Sequence, residues 1–279
     1  MTVNWYPGHM VKARREVEEN LKLVDVAVLL LDARAPFSCR NPDLEKMVRG
    51  KALILVLNKA DLAQPEMSKN YVKKLRQEGF RVQTMDSLSG RGSREVLKEI
   101  RAAFQPVAER LQQKGRRIRA ARVMVAGVPN VGKSSFLNSL VGKKMARTGA
   151  KPGVTRGKQW VRVREDIEFL DTPGLMWPRV DNEEQGLKLA LLDVVGEKAY
   201  SELEVALYLV QILKEKHPEV LLDKLGLPTI AEDSEAILAD ISRRRGYLLK
   251  GGVPDGEKTC RHLILDFRRG SLGPISLDE

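Results

Sequence analysis

Cysteine is nearly absent: only Cys39 and Cys260 occur in 279 residues, far apart and outside any paired motif. That argues against a disulfide framework and against structural zinc, and points to reduced thiols in a cytosol. Long apolar runs are missing too. The longest candidate, Val26–Leu31, has the length of a strand, well short of the roughly 18 residues a membrane-spanning helix needs. Trp5, Tyr6 and Pro7 stand where a signal or transit peptide would be charged or Arg/Ser-rich, so no targeting segment is expected. No RNA-recognition signature of the RRM or KH type is visible, and no internal repeat. What the chain has in excess is positive charge. A net +11 points to a polyanionic partner such as nucleic acid, the alternative being Lys and Arg that only solvate helix faces.

The chemistry gathers on Gly127-Val-Pro-Asn-Val-Gly132-Lys133-Ser134, between the apolar run Arg122–Ala126 and the helical pattern Ser135–Val141. G-x-x-x-x-G-K-S between a strand and a helix is the pattern of a phosphate-binding loop. Glycines let backbone N–H groups turn inward on a polyphosphate, and the following helix adds its positive end. Asn130, Val131, Gly132, Lys133, Ser134 and Ser135 are therefore expected to bind nucleotide. Lys133 would reach the terminal phosphates, and the Ser134 hydroxyl would hold Mg2+.

A second apolar run, Ala52–Leu57, ends in Asn58-Lys59-Ala60-Asp61. Ligands of open α/β sheets collect at the carboxyl ends of strands. Asp61 there can accept from the ring N1–H and the exocyclic amine of guanine, Lys59 can lie over the base, and Asn58 can brace the loop. Adenine offers no such donor pair. Strand Arg81–Met85 ends in Asp86-Ser87-Leu88-Ser89-Gly90, where Ser87 and Leu88 can bring backbone amides to the base edge, or form a plain βα turn. Thr155, in Pro152-Gly-Val-Thr155-Arg156, can complete the Mg2+ shell and sense the γ-phosphate. Asp171-Thr-Pro-Gly174 can hold the metal through water at Asp171 and offer the Gly174 N–H to the γ-phosphate.

The motifs run in an unusual order. The guanine tetrad precedes the phosphate loop, so the expected fold is an α/β GTPase domain that is circularly permuted, over residues 1–178. An all-α domain is expected over 179–279, with helices near Glu183–Val195, Glu202–Lys216, Ala231–Arg244 and Gly256–Phe267. Permutation also sets Thr155 and Asp171 shortly before that domain in the chain, a route for passing on the nucleotide state. A helix from Ser93 to Phe104 is expected to stop at Pro106, followed by a basic solvated connector over 105–120.

These motifs, with Trp5-Tyr-Pro-Gly-His9-Met10, Asp32-Ala-Arg34-Ala-Pro36 and the Arg268–Ser276 stretch, give a chain that resembles the bacterial ribosome biogenesis GTPase A family over nearly its full length. The resemblance implies GTP hydrolysis, with GTP and GDP as ligands, coupled to late assembly of the large ribosomal subunit. It also implies a helical domain that contacts rRNA, in a cytoplasmic protein taken to be a monomer. It differs at Ser87-Leu88, where the family commonly has a Ser-Ala pair. Leu175 stands where Ras-like enzymes place the water-orienting glutamine, and the resemblance gives that task to His9. From the sequence alone, His9 fits a capping or packing role in the first turn equally well. The resemblance further implies K+ at Asn130, a position a loop-shaping Asn also suits. Two other classes are kept open: a non-catalytic GTP-dependent RNA-binding scaffold, and an ATP-using enzyme that would make Asn58–Asp61 a coincidence. Asp32 and Arg34 are expected to brace the sheet near the nucleotide, with no chemical step assigned.

Overall fold

The structure, a computed structural model, describes residues 7–48, 50–141, 159–171, 180–196 and 200–279, with only the backbone at 7–13, 159 and 171. The chain forms two compact units. The first runs to Arg179 and takes back the last two residues, Asp278 and Glu279, and the second is Val180–Leu277. The division thus falls one residue after the expected 178/179 boundary, and the expected second domain loses its two final residues.

In the first unit, α1 (Pro7–Leu21) leads to β1 (Val26–Asp32), whose residues are buried on both faces. Next come α2 (Pro42–Met47), β2 (Ala52–Asn58), α3 (Pro65–Gln77), β3 (Arg81–Met85) and α4 (Ser93–Gln113). β4 (Ala121–Gly127), α5 (Lys133–Val141), β5 (Gln159–Arg164) and β6 (Ile167–Asp171) complete it. The strands lie in the order β3-β2-β1-β4-β6-β5, all parallel except β5, which pairs antiparallel with β6. Near-continuous Val/Ile/Leu runs are what strands of a parallel sheet covered on both faces require. The register puts Asp32 opposite Asn58, Asn58 opposite Met85 and Leu30 opposite Gly127. The loops after β1, β2, β3 and β4 therefore leave the same edge side by side.

Permutation demands one long crossing, from β3 past β2 and β1 to β4, and α4 makes it while packing on all four strands. At 21 residues it is about 31 Å long. It corrects the sequence expectation, because it runs through Pro106 to Gln113. Proline forgoes one helical hydrogen bond, yet Val96, Leu97, Ile100, Ala103, Phe104 and Ala108 keep one buried stripe across it while Gln105 and Pro106 face water. Packing of that stripe carries the helix, and the connector shrinks to 114–120. There Arg119 forks onto Asp25 at 2.6 and 3.0 Å.

The unit closes on its own C-terminus. Asp278 accepts from the N–H groups of Phe37 and Ser38 at 2.8 and 3.0 Å and from the Ser38 hydroxyl at 2.5 Å, while Tyr71 donates its hydroxyl to the Asp278 carbonyl. In the second unit α7 (Glu202–Lys216) packs against α6 (Glu183–Leu191), α8 (Ser234–Arg244) and α9 (Gly256–Arg269), with a π turn at Val220–Lys224. A capping box of Ser201 and Glu204 starts α7, and Arg268 donates to the Leu191 and Ala190 carbonyls at the end of α6, at 3.0 and 2.8 Å. α6 stops short of Val195 because Asp193 sits at φ 62°, and α8 begins at Ser234, capped by Asp233, rather than at Ala231. Cys39 and Cys260 are free and buried, and burial pushes both thiols up.

Candidate functional site

The loop after β4 is shaped by two glycines with no room for a side chain. A Cβ on Gly127 would sit 2.8 Å from the Leu30 carbonyl, and one on Gly132, at φ +98°, 2.6 Å from Asn58 Nδ2. Asn130 also takes a positive φ of 56°. The first helical bond of α5 is donated by Phe136, to Gly132 at 2.9 Å, so the amides before it have no partner inside the helix. Lys133 folds back and donates to the Gly127 and Val128 carbonyls at 2.9 and 3.0 Å. Burial pulls its ammonium down to about 8.

The tetrad after β2 is tied directly to this loop. Asn58 is buried, and its Nδ2 donates to the Val131 carbonyl at 2.8 Å while its Oδ1 accepts from the Ser87 hydroxyl at 2.6 Å. One side chain thus joins the phosphate-type loop, the tetrad and the loop after β3. Lys59, at φ 56°, donates to the Asn130 carbonyl at 2.8 Å, and Ala60 donates its N–H to Met85 at 3.1 Å. Asp61 stands exposed beyond them.

The loop after β3 is an Asx turn. Asp86 accepts from the Leu88 and Ser89 N–H groups at 2.9 and 3.2 Å and from the Ser89 hydroxyl. The sequence expectation for this loop is narrowed by that. The Leu88 amide is occupied and the Ser87 hydroxyl is given to Asn58, which leaves the Ser87 amide, beside a Leu88 side chain that is 87% exposed. Burial pushes the Asp86 carboxyl up, but these bonds and nearby Arg91 more than offset it, so it lies below its ordinary value.

The sequence reading has Asp32 and Arg34 brace the sheet near the nucleotide, and the structure adds which group they hold. Both are about 1% exposed at the carboxyl end of β1. Arg34 forks onto Asp32 with Nε–Oδ1 2.9 Å and Nη2–Oδ2 2.8 Å, and Lys59 Nζ lies 3.1 Å from Asp32 Oδ2. Burial alone would raise the Asp32 carboxyl; Arg34 and Lys59 more than offset this and hold it well below the usual carboxylate range. Asp32 thereby fixes the tetrad lysine. The readable signal was a charged Asp-x-Arg ending a wholly apolar strand.

Asp171 ends β6, one residue past Leu170, which pairs with Met124 of β4, so it reaches the same sheet edge as the phosphate-type loop. Its side chain, that of His9 on α1, and Thr155 and Gly174 altogether lie outside the described residues. Among the described residues no group of three His, Cys, Asp or Glu could hold a metal.

A parallel sheet with a glycine loop on its central strand and an N-K-x-D tetrad two strands away, met in reversed order, defines a circularly permuted P-loop GTPase, followed by a helical region. The family model described as 50S ribosome-binding GTPase matches residues 122–238. It enters at β4 and so misses the tetrad, which permutation has moved upstream. A curated relative, ribosome biogenesis GTPase A of Bacillus pumilus, is 39% identical over 100% of this chain and 99% of its own. Two solved structures resemble the fold. A GDP-bound YlqF is 26% identical with a TM-score of 0.64, covering 94% of this chain and 98% of that one. A GNP-bound YlqF from Thermotoga maritima is 28% identical with a TM-score of 0.63, covering 95% and 97%. The chain belongs to the ribosome biogenesis GTPase A family.

Proposed function

We propose that this protein is a GTP hydrolase that assists late maturation of the large ribosomal subunit in the cytoplasm, bound to rRNA and stimulated by the particle. The single observation that carries the nucleotide reading is the Asn58 side chain, which spans Val131 and Ser87 and so sets guanine recognition beside phosphate binding. The amides of Asn130 to Ser135 and the Lys133 ammonium take the phosphates. Asp61 accepts from guanine, Lys59 covers it, and Ser87 with Leu88 closes its edge.

Hard oxygen donors suit Mg2+: Ser134, near the start of α5, and Asp171, the last residue of β6, would hold it, with Thr155 as a third. When bound, the metal neutralises charge on the phosphates. Thr155 and Gly174 would read the γ-phosphate, and Asn130 would lend an oxygen to K+. His9 orients the attacking water, so His9→Ala lowers kcat with GTP affinity nearly intact. No helix among the described residues is long and apolar enough to cross a membrane.

The test is GTP hydrolysis with purified large subunits, small subunits or neither, with ATP as competitor. Stimulation by large subunits alone supports the reading. GTP binding without stimulated turnover would leave a scaffold, and competition by ATP would leave an ATP-using enzyme.

A further inference from the structure

Behind the tetrad, α3 and the edge strand β3 enclose a groove of about 800 Å3. Ala60 of the tetrad is among its lining residues and no residue of the phosphate-type loop is, so it lies outside the phosphate-binding part of the nucleotide site. Its walls carry Lys69, Lys73, Arg76 and Arg91 and no carboxylate. Lys69 and Lys73 are weakly neutralised. The Lys69–Glu66 pair, at 2.8 Å, joins side chains 72% and 79% exposed, and such pairs contribute about 0–1 kcal/mol. Lys73 meets no carboxylate among the described residues, while Arg76 donates to the Val82 carbonyl at 3.0 Å. Ser68, buried on the same wall, has a hydroxyl with no partner among the described residues. In the helical unit Arg245 pairs with Asp266 at 2.6 Å and Arg268 donates to the Ala190 carbonyl at 2.8 Å, so those two cations are engaged within the unit.

Resting on the proposed function, we infer that the α3–β3 groove is a track for an RNA sugar-phosphate backbone. Lys69, Lys73 and Arg76 recur along α3 at about 6 and 4.5 Å of axial rise, a line of charge suited to a polymer with one anion per unit. No aromatic residue lines the groove, so bases are not stacked there and contact is sequence-independent. A peptide adding itself to β3 is disfavoured because Arg76 already occupies the Val82 carbonyl on that strand. RNA in the groove lies against Ala60, between the two tetrad residues that serve guanine, which gives the particle a physical route to the nucleotide.

The full-length Lys69→Glu, Lys73→Glu double variant is compared with Lys98→Glu, an exposed change on α4. Binding to protein-free large-subunit rRNA and to large subunits is measured against salt, alongside basal GTP hydrolysis. The double variant is expected to bind rRNA at least about tenfold more weakly, with a salt slope shallower by about 1.4, two single-strand contacts' worth. Basal hydrolysis and the Lys98→Glu variant stay as in the parent. Unchanged rRNA affinity in the double variant overturns the groove. So does weakening seen on subunits but not on protein-free rRNA, which would assign the groove to an acidic protein surface. A parent that binds neither rRNA nor subunits contradicts the proposed function itself.

Discussion

Asp32 is the residue on which the guanine loop leans. It meets two cations inside the protein, Arg34 by a fork and Lys59 at 3.1 Å, at a position about 1% exposed. Removing one member of such a set strands the others, a loss of about 3–5 kcal/mol. Asp32→Asn is therefore expected to lower the denaturant midpoint by that order and to weaken GTP binding through an untethered Lys59. Adding Arg34→Met to it should recover much of the stability but not the affinity. Recovery of both would mean that Asp32 has no part in placing Lys59.

Lys133 gives a pH prediction at the same scale. Its folded value, about 8, lies below the 10.5 of the unfolded chain, and burial is the cause. Between those values the unfolded chain holds a proton that the folded chain lacks, so this group's share of nucleotide-free stability rises as pH climbs through the window. Triphosphate calls the ammonium back. Calorimetry in buffers of different ionisation enthalpy should show almost no proton uptake on GTP binding near pH 6.5, and uptake nearing one proton near pH 9.

At the scale of elements, strands were legible because parallel, doubly covered strands read as short unbroken apolar runs, and β1 to β4 lie within two residues of their expected bounds. α4 was misread because a proline is a local signal, whereas the stripe from Val96 to Ala108 is decided by the sheet beneath it. Since Pro106 is on the water side, Pro106→Ala restores a backbone donor at no cost in packing. It should stabilise the protein by about 1–3 kcal/mol in denaturant titration. No gain would show that α4 needs the proline's bend to seat Phe104 and Ala108. The Asn58–Val131 bond and the Asp278 clasp were illegible for another reason: each joins residues more than 70 positions apart, and only the fold brings them together.

For the whole molecule, the order of motifs was informative without coordinates. Asn58–Asp61 before Gly127–Ser134 makes sense only if a sheet keeps its strand neighbours when its ends are joined and it is cut elsewhere, and the order β3-β2-β1-β4-β6-β5 is such a sheet. α4 is the join.

The central claim is that Asp61 reads guanine for a phosphate loop lying later in the chain. The most direct measurement is kcat/KM for GTP and for XTP in Asp61→Asn. Asparagine exchanges one acceptor for a donor, which mismatches the guanine amine and matches the 2-oxo group of xanthine. The account predicts that GTP use falls by roughly a hundredfold or more and XTP use rises. An Asp61→Asn protein that hydrolyses GTP like the parent and ignores XTP would contradict it.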